Sequence, residues 1–191
     1  MKPATAKRRG RRTLLLLALV AISPIVVSYV AYYWFTPSGR VNYGELLPAR
    51  PAPSITGIQA DGKPLALSGL RGRWLMLIVT GRECGEACLR ALYATRQART
   101  MQGREQERIV RVWLQPADAA SPIPEVLAPH PGLIVARVDR KLLAQLPVDA
   151  DAGGILLVDP HGNLVLHYAA DPDIKRLAKD LERLLRASQI G

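Results

Sequence analysis

Sulfur and imidazole are both scarce in this chain. Of 191 residues only two are cysteine and three histidine, so thiol chemistry rests on Cys84 and Cys88 alone. Aromatic content is low, and no internal repeat is present. No Ser-His-Asp set, no carboxylate pair and no phosphate loop stands out. Gly69-Leu70-Arg71-Gly72 is a turn without the Lys-Ser or Lys-Thr that a P-loop needs behind it. No acid occurs before residue 13, and residues 13–35 carry no charge of either sign.

The formal charge of +10 points towards nucleic acid only until its distribution is read. Lys2, Lys7, Arg8, Arg9, Arg11 and Arg12 are six of the 26 basic residues, leaving 20 to face 16 acids over the remaining chain. That remainder is a mildly basic soluble surface, and nucleic acid is not an expected partner.

The uncharged run TLLLLALVAISPIVVSYVAYYWF, residues 13–35, is long enough as a helix to span a hydrocarbon core of ~30 Å. Pro24 falls mid-span, where a kink is expected and membranes tolerate it. Tyr29, Tyr32, Tyr33, Trp34 and Phe35 form an aromatic belt at the far end. The length and those bulky aromatics disfavour a cleaved signal peptide. Residues 1–12 then read as a basic cytoplasmic tail, 13–35 as a transmembrane anchor, and everything later as lying across the membrane. Residues 36–53, with four prolines and two glycines, read as a tether before a domain over 54–188.

Within that domain, Ile55–Ile58 and Leu65–Leu67 flank Asp61-Gly62, a hairpin signal. Trp74–Val79 is a buried strand, followed by a polar loop and a helix to about Met101 whose inner face carries Cys88, Ala91, Leu92, Thr95 and Ala98. Ile109–Leu114 is a second strand. Residues 115–132 hold five prolines and read as a loop or a poorly ordered insertion, with room for a helical turn. Leu133–Val138 is a strand and Arg140–Leu146 a short helix. Gly154–Val158 and Leu164–Tyr168 make a hairpin around Asp159-Pro160-His161-Gly162-Asn163. A terminal helix has Asp171 as its expected N-cap, Pro172 at N1, and an apolar stripe from Ile174 to Leu185. His161 is expected in solvent. His167 is expected on the face opposite Leu164 and Leu166.

Cys84 falls in the loop before the first long helix and Cys88 one turn in. Residues i and i+4 on a helix sit ~5–6 Å apart at Cβ, which suits a disulfide or two thiolates on a soft ion such as Cu(I). A purely structural bridge closing so short a loop restricts the unfolded chain by only about 2 kcal/mol, against about 4.7 for a 100-residue loop. A helix N-terminus lowers thiol pKa, and nearby Glu83 and Glu86 oppose that.

A dithiol at the start of the first long helix, directly after a central strand, is the thioredoxin arrangement. The fold expected is α/β, a thioredoxin-like mixed sheet flanked by helices, preceded by one N-terminal transmembrane helix. With Cys84-Gly85-Glu86-Ala87-Cys88, the turn Val158–Asn163 and Asn42-Tyr43-Gly44, the chain resembles the Sco/SenC family over residues ~42–187. That resemblance implies a role in cytochrome c oxidase assembly, with a respiratory oxidase subunit or another copper or thiol assembly protein as partner. It also implies a bacterial inner membrane location with a periplasmic domain. Leu89 stands where the family usually has proline, and Asp151 about where it has a third copper ligand, a histidine. Peroxiredoxins share the fold, but their T-x-x-C is absent, since Thr80 lies four residues before Cys84. Gly153-Gly154 replace the cis-proline of thioredoxin-type reductases.

Three functions follow as expectations. The first is thiol-disulfide exchange, with Cys84 attacking or being attacked and Cys88 resolving, which leaves a thiol-disulfide oxidoreductase activity open. The second is a copper carrier using Cys84 and Cys88, with a third ligand from the partner or from His130. The third is a scaffold with an inert disulfide.

Overall fold

The computed structural model describes residues 4–34, 42–122 and 124–188. The chain divides into two units at Val41. In the first, helix α1 (Ala4–Trp34) runs through Pro24 without interruption, and its segment Gly10–Trp34 is long and apolar enough to cross a membrane. Tyr32 and Tyr33 meet edge to face at its end; Phe35, expected beside them, lies outside the described residues.

The second unit, Asn42 onward, is built on one eight-stranded sheet. Its strands are β1 (Glu45–Pro51), β2 (Thr56–Gln59), β3 (Pro64–Ala66), β4 (Trp74–Val79), β5 (Ile109–Pro116), β6 (Ile134–Val138), β7 (Gly154–Val158) and β8 (Asn163–Ala169), in the order β1-β8-β7-β4-β5-β6-β2-β3. β4, β5 and β6 run parallel, and the other pairings are antiparallel. Its α-helices among the described residues are α2 (Glu86–Thr100), α3 (Pro124–Leu127), α4 (Arg140–Leu143) and α5 (Ile174–Ala187).

β4 is the centre. None of its six side chains is more than 4% exposed, as expected of a continuous apolar strand covered on both faces. Trp74, Met76 and Ile78 pack under α2 and α5 with Trp113, Ile155 and Leu157. Leu75, Leu77 and Val79 face the other way, onto Leu67, Leu143 and Leu146. The two long helices thus share one face, and short pieces cover the other.

Three expectations need correction. Part of the supposed tether is folded: residues 35–41 lie outside the described residues, but Glu45–Pro51 pairs with β8 as an edge strand. A strand can hold Pro48 and Pro51 at an edge, where no ladder partner needs their missing N–H. The α5 N-cap is Asp173, whose side chain accepts from Arg176 N at 3.0 Å. Asp171 instead pairs with Arg90 at 3.0 Å. His167 also lies on the same face as Leu164, because β8 bulges between the pairs Leu157–Leu166 and Val158–Leu164 and flips the alternation. As expected, His161 is exposed.

The segment after α1 is tied to α5 by a carboxylate in the core. Asp180 is 2% exposed and accepts from Tyr43 N at 2.8 Å, Gly44 N at 2.9 Å and the Tyr168 hydroxyl at 3.2 Å. Burial, then the Asp180 charge, pushes the Tyr168 hydroxyl well above the ordinary phenol range, so it remains a donor. Arg183 lies 3.8 Å from the second carboxylate oxygen. A β-carbon on Gly44 would stand 2.6 Å from the Tyr168 ring.

Truncating the carboxylate strands two backbone N–H groups and a hydroxyl. Asp180→Ala is therefore expected to lower unfolding stability by about 3 kcal/mol, and Gly44→Ala by about 1–3 kcal/mol through overpacking. Urea unfolding of the full chain in detergent checks both, and unchanged midpoints would refute the tie.

Candidate functional site

The site begins where β4 ends. Thr80 is buried; its N–H continues the ladder to Leu114 O at 3.2 Å, and its hydroxyl accepts from Trp113 Nε1 at 2.8 Å. A buried indole needs such an acceptor, and this bond fixes the strand's exit. Gly81 follows in close contact with the 149–153 loop, where an added β-carbon would lie 3.1 Å from Asp151 Oδ1. Arg82 turns outward to Asp118 at 3.3 Å, which Arg140 also holds at 3.2 Å. The chain then passes Glu83 and Cys84 and enters α2 at Gly85, an N-cap without a side-chain acceptor.

Cys84 and Cys88 form a disulfide with Cα atoms 5.1 Å apart. The two sulfurs differ in access. Cys84 is half-buried in the loop, whereas Cys88, in the first turn of α2, is only 5% exposed. Beside them runs a groove of about 270 Å³ whose lining includes Thr80, Gly81, Glu83, Gly85, Glu86, Cys88, Asp151 and Gly153. Gly153 adopts φ +74°, a conformation natural to glycine, and its N–H donates to Asp149 O at 2.9 Å. The loop that stands in for the cis-proline turn is therefore a glycine turn, and among the described residues no peptide is cis.

The expected site residues separate into two groups. Cys88 and Asp151 both line the groove, and Cys84 is bonded to Cys88 beside it. His130 does not join them. Its loop is held to the far half of α2, where Arg96 donates to Pro129 O, two turns and ~12 Å along the axis beyond Cys88. Arg111 donates to Pro131 O at 3.0 Å and lies 3.5 Å from His130 Nδ1. Burial, then repulsion from Arg99 and Arg96, brings the Arg111 guanidinium down to about 10. Burial, then Arg111 and Arg96, lowers the His130 imidazole below its ordinary range. A histidine so placed sits against cations and away from the sulfurs.

Among the described residues no group of three or more His, Cys, Asp and Glu is placed to hold a metal ion. The disulfide offers copper two sulfurs, of which the groove is lined by Cys88 alone, and the groove adds, in Asp151, a hard carboxylate ill-suited to Cu(I). The residues present do not make a complete copper site.

A disulfide at the start of the helix that follows the central strand, with one sulfur reachable, defines a thioredoxin-fold dithiol protein. Residues 74–188 match the family model described as transmembrane-like, thioredoxin-like, C-terminal domain, and residues 3–35 match transmembrane-like, N-terminal domain. The chain belongs to that transmembrane-like, thioredoxin-like family. Among curated proteins none matches it. The solved structures it resembles include copper-bound yeast Sco1, at 16% identity and TM-score 0.61, covering 74% of this chain and 96% of that one. Copper-bound ScoI of Arabidopsis thaliana follows at 18% and 0.58, covering 72% and 99%. The thioredoxin domain of a thiol-disulfide oxidoreductase from Bacteroides vulgatus gives 16% and 0.55, covering 74% and 99%. At these identities the likeness is one of fold, and the Sco-like thioredoxin fold expected from the sequence is the fold observed.

Reasoning from sequence missed the Thr80–Trp113 bond and the Asp180 tie. A tryptophan in the middle of a buried strand signals the first, because its N–H must find an acceptor.

The His130 environment sets a pH dependence. Its folded pKa lies below the unfolded value of ~6.5, so the unfolded state takes up the proton first. The associated stability is complete above ~6.5 and is lost as pH falls through that value towards the folded pKa. Urea midpoints between pH 7.5 and 5 should fall less steeply in His130→Gln than in the wild type, and identical slopes would refute this.

Proposed function

We propose that this chain is a single-pass membrane protein whose domain exchanges disulfides on the extracytoplasmic side, in the periplasm of a bacterium, during cytochrome c oxidase assembly. The observation that carries the exchange chemistry is the unequal pair, with Cys84 half-exposed in the loop and Cys88 only 5% exposed in the wall of the adjoining groove. An incoming thiolate reaches Cys84 Sγ, the Cys84–Cys88 bond breaks, and Cys88 leaves as a thiolate near the N–H groups of α2. Those donors favour the anion. In the opposite direction Cys84 attacks a partner disulfide and Cys88 resolves the mixed disulfide.

Support for the setting comes from the basic residues ahead of the apolar helix, which favour a cytoplasmic N-terminus, and from the transmembrane-like family match at residues 3–35. The role in oxidase assembly rests on the Sco-like fold and the CxxxC spacing. The copper-carrier reading has two sulfurs and no third soft ligand in the groove, so no step is assigned to the metal.

Trapping tests the exchange. In detergent, full-length Cys88→Ser should form a mixed disulfide with oxidised glutathione at least about tenfold faster than Cys84→Ser, because reactivity follows exposure. Equal rates would sink the assignment of roles. A potential far below about −300 mV for the wild-type pair would mark an inert bridge.

A further inference from the structure

The groove beside the disulfide is acidic on a chain whose formal charge is +10. Glu83, Glu86 and Asp151 line it, and no lysine or arginine does. The nearest arginines face elsewhere or are shared. Arg82 pairs with Asp118 at 3.3 Å, and Arg90 divides itself between Glu86 at 3.5 Å and Asp171 at 3.0 Å. Glu83 and Asp151 have no basic partner within 4.0 Å among the described residues. Between the carboxylates the wall is small side chains and glycine, so an entering chain meets little steric resistance. At about 270 Å³ the groove falls below the ~300–1,000 Å³ of small-molecule sites, which suits one long side chain better than a cofactor.

We propose that this groove receives a lysine or arginine flanking the reactive cysteine of the partner protein, and so selects partners whose dithiol lies in a basic segment. The proposal rests on the exchange reading above and names its substrate class. Carboxylates around an electrophilic disulfide repel an approaching thiolate. A cation beside that thiolate offsets the repulsion, lowers the thiol's own pKa and steers the encounter. The partner thiolate attacks Cys84 Sγ, the intramolecular bond breaks, and Cys88 departs as a thiolate that takes a proton from water. A second partner thiolate then attacks the mixed disulfide and displaces Cys84. The partner dithiol is oxidised by two electrons and the Cys84–Cys88 pair is reduced by the same two; run backwards, the steps carry electrons to a basic partner disulfide.

Two reduced peptides that differ only in lysines or glutamates on either side of a single cysteine provide the test. Each reacts with oxidised full-length protein in nonionic detergent, and each rate is divided by that peptide's rate with the neutral hydroxyethyl disulfide, which removes intrinsic thiol reactivity. The normalised lysine-to-glutamate ratio should be about tenfold or more at low salt and fall to within about twofold at ~0.5 M salt through screening. The triple variant Glu83→Gln, Glu86→Gln, Asp151→Asn should fall to the same low ratio at low salt. Equal normalised rates, or a ratio insensitive to both salt and the variant, overturn the charge selection and leave disulfide exchange standing. If neither peptide opens the Cys84–Cys88 bond, the exchange reading falls with it. The salt series on wild-type protein decides the matter even where the triple variant fails to fold.

Discussion

A strand covered on both faces can contain only what both cores accept. β4 meets that condition from Trp74 to Val79 and no further, because Thr80 is already polar and is tolerated only through the indole of Trp113. The place where the apolar run stops is therefore the place where the chain must leave the sheet. The cysteines follow that exit at once, so their position is set by hydrocarbon burial rather than by any property of sulfur. The same limit fixes the neighbouring loops: β7 starts opposite Val79, which brings Gly153 and Asp151 to the same end of the sheet.

Local pattern carried much of this into the sequence. The run Trp74–Val79, the inner face of α2 and the hairpin at Asp61-Gly62 all have a period or a turn residue that permits few readings. The pairing of Cys84 with Cys88 was legible for the same reason, since a helical repeat brings them together. What stayed hidden depends on partners remote in the chain. Asp180 stands among the charged residues of an amphipathic helix, and only Tyr43, Gly44 and Tyr168 make it a core residue. Glu45–Pro51 has a linker's composition, and nothing local announces that β8 has room for one more strand. The bulge in β8 moves His167 to the other face without a glycine or proline to mark it.

The resemblance to copper proteins and the detail of the site pull apart. Two sulfurs stand at the expected place, but Asp151 lies where an imidazole is usual in the Sco/SenC pattern, and His130 is held against Arg111 by a proline-rich loop. Those carbonyl contacts, from Pro129 to Arg96 and from Pro131 to Arg111, are structural in character. They place the His130 ring beside the Arg111 guanidinium. A fold that holds copper in yeast Sco1 and Arabidopsis ScoI here carries one disulfide and a rim of carboxylates.

The two outermost strands of the sheet have one further implication. β1 carries Pro48 and Pro51, and β3 opens with Pro64. A rim missing amide donors at these points makes a poor template for an additional strand, whether from a neighbouring copy or from a misfolded chain. The domain's two margins are in that way kept from recruiting a further strand.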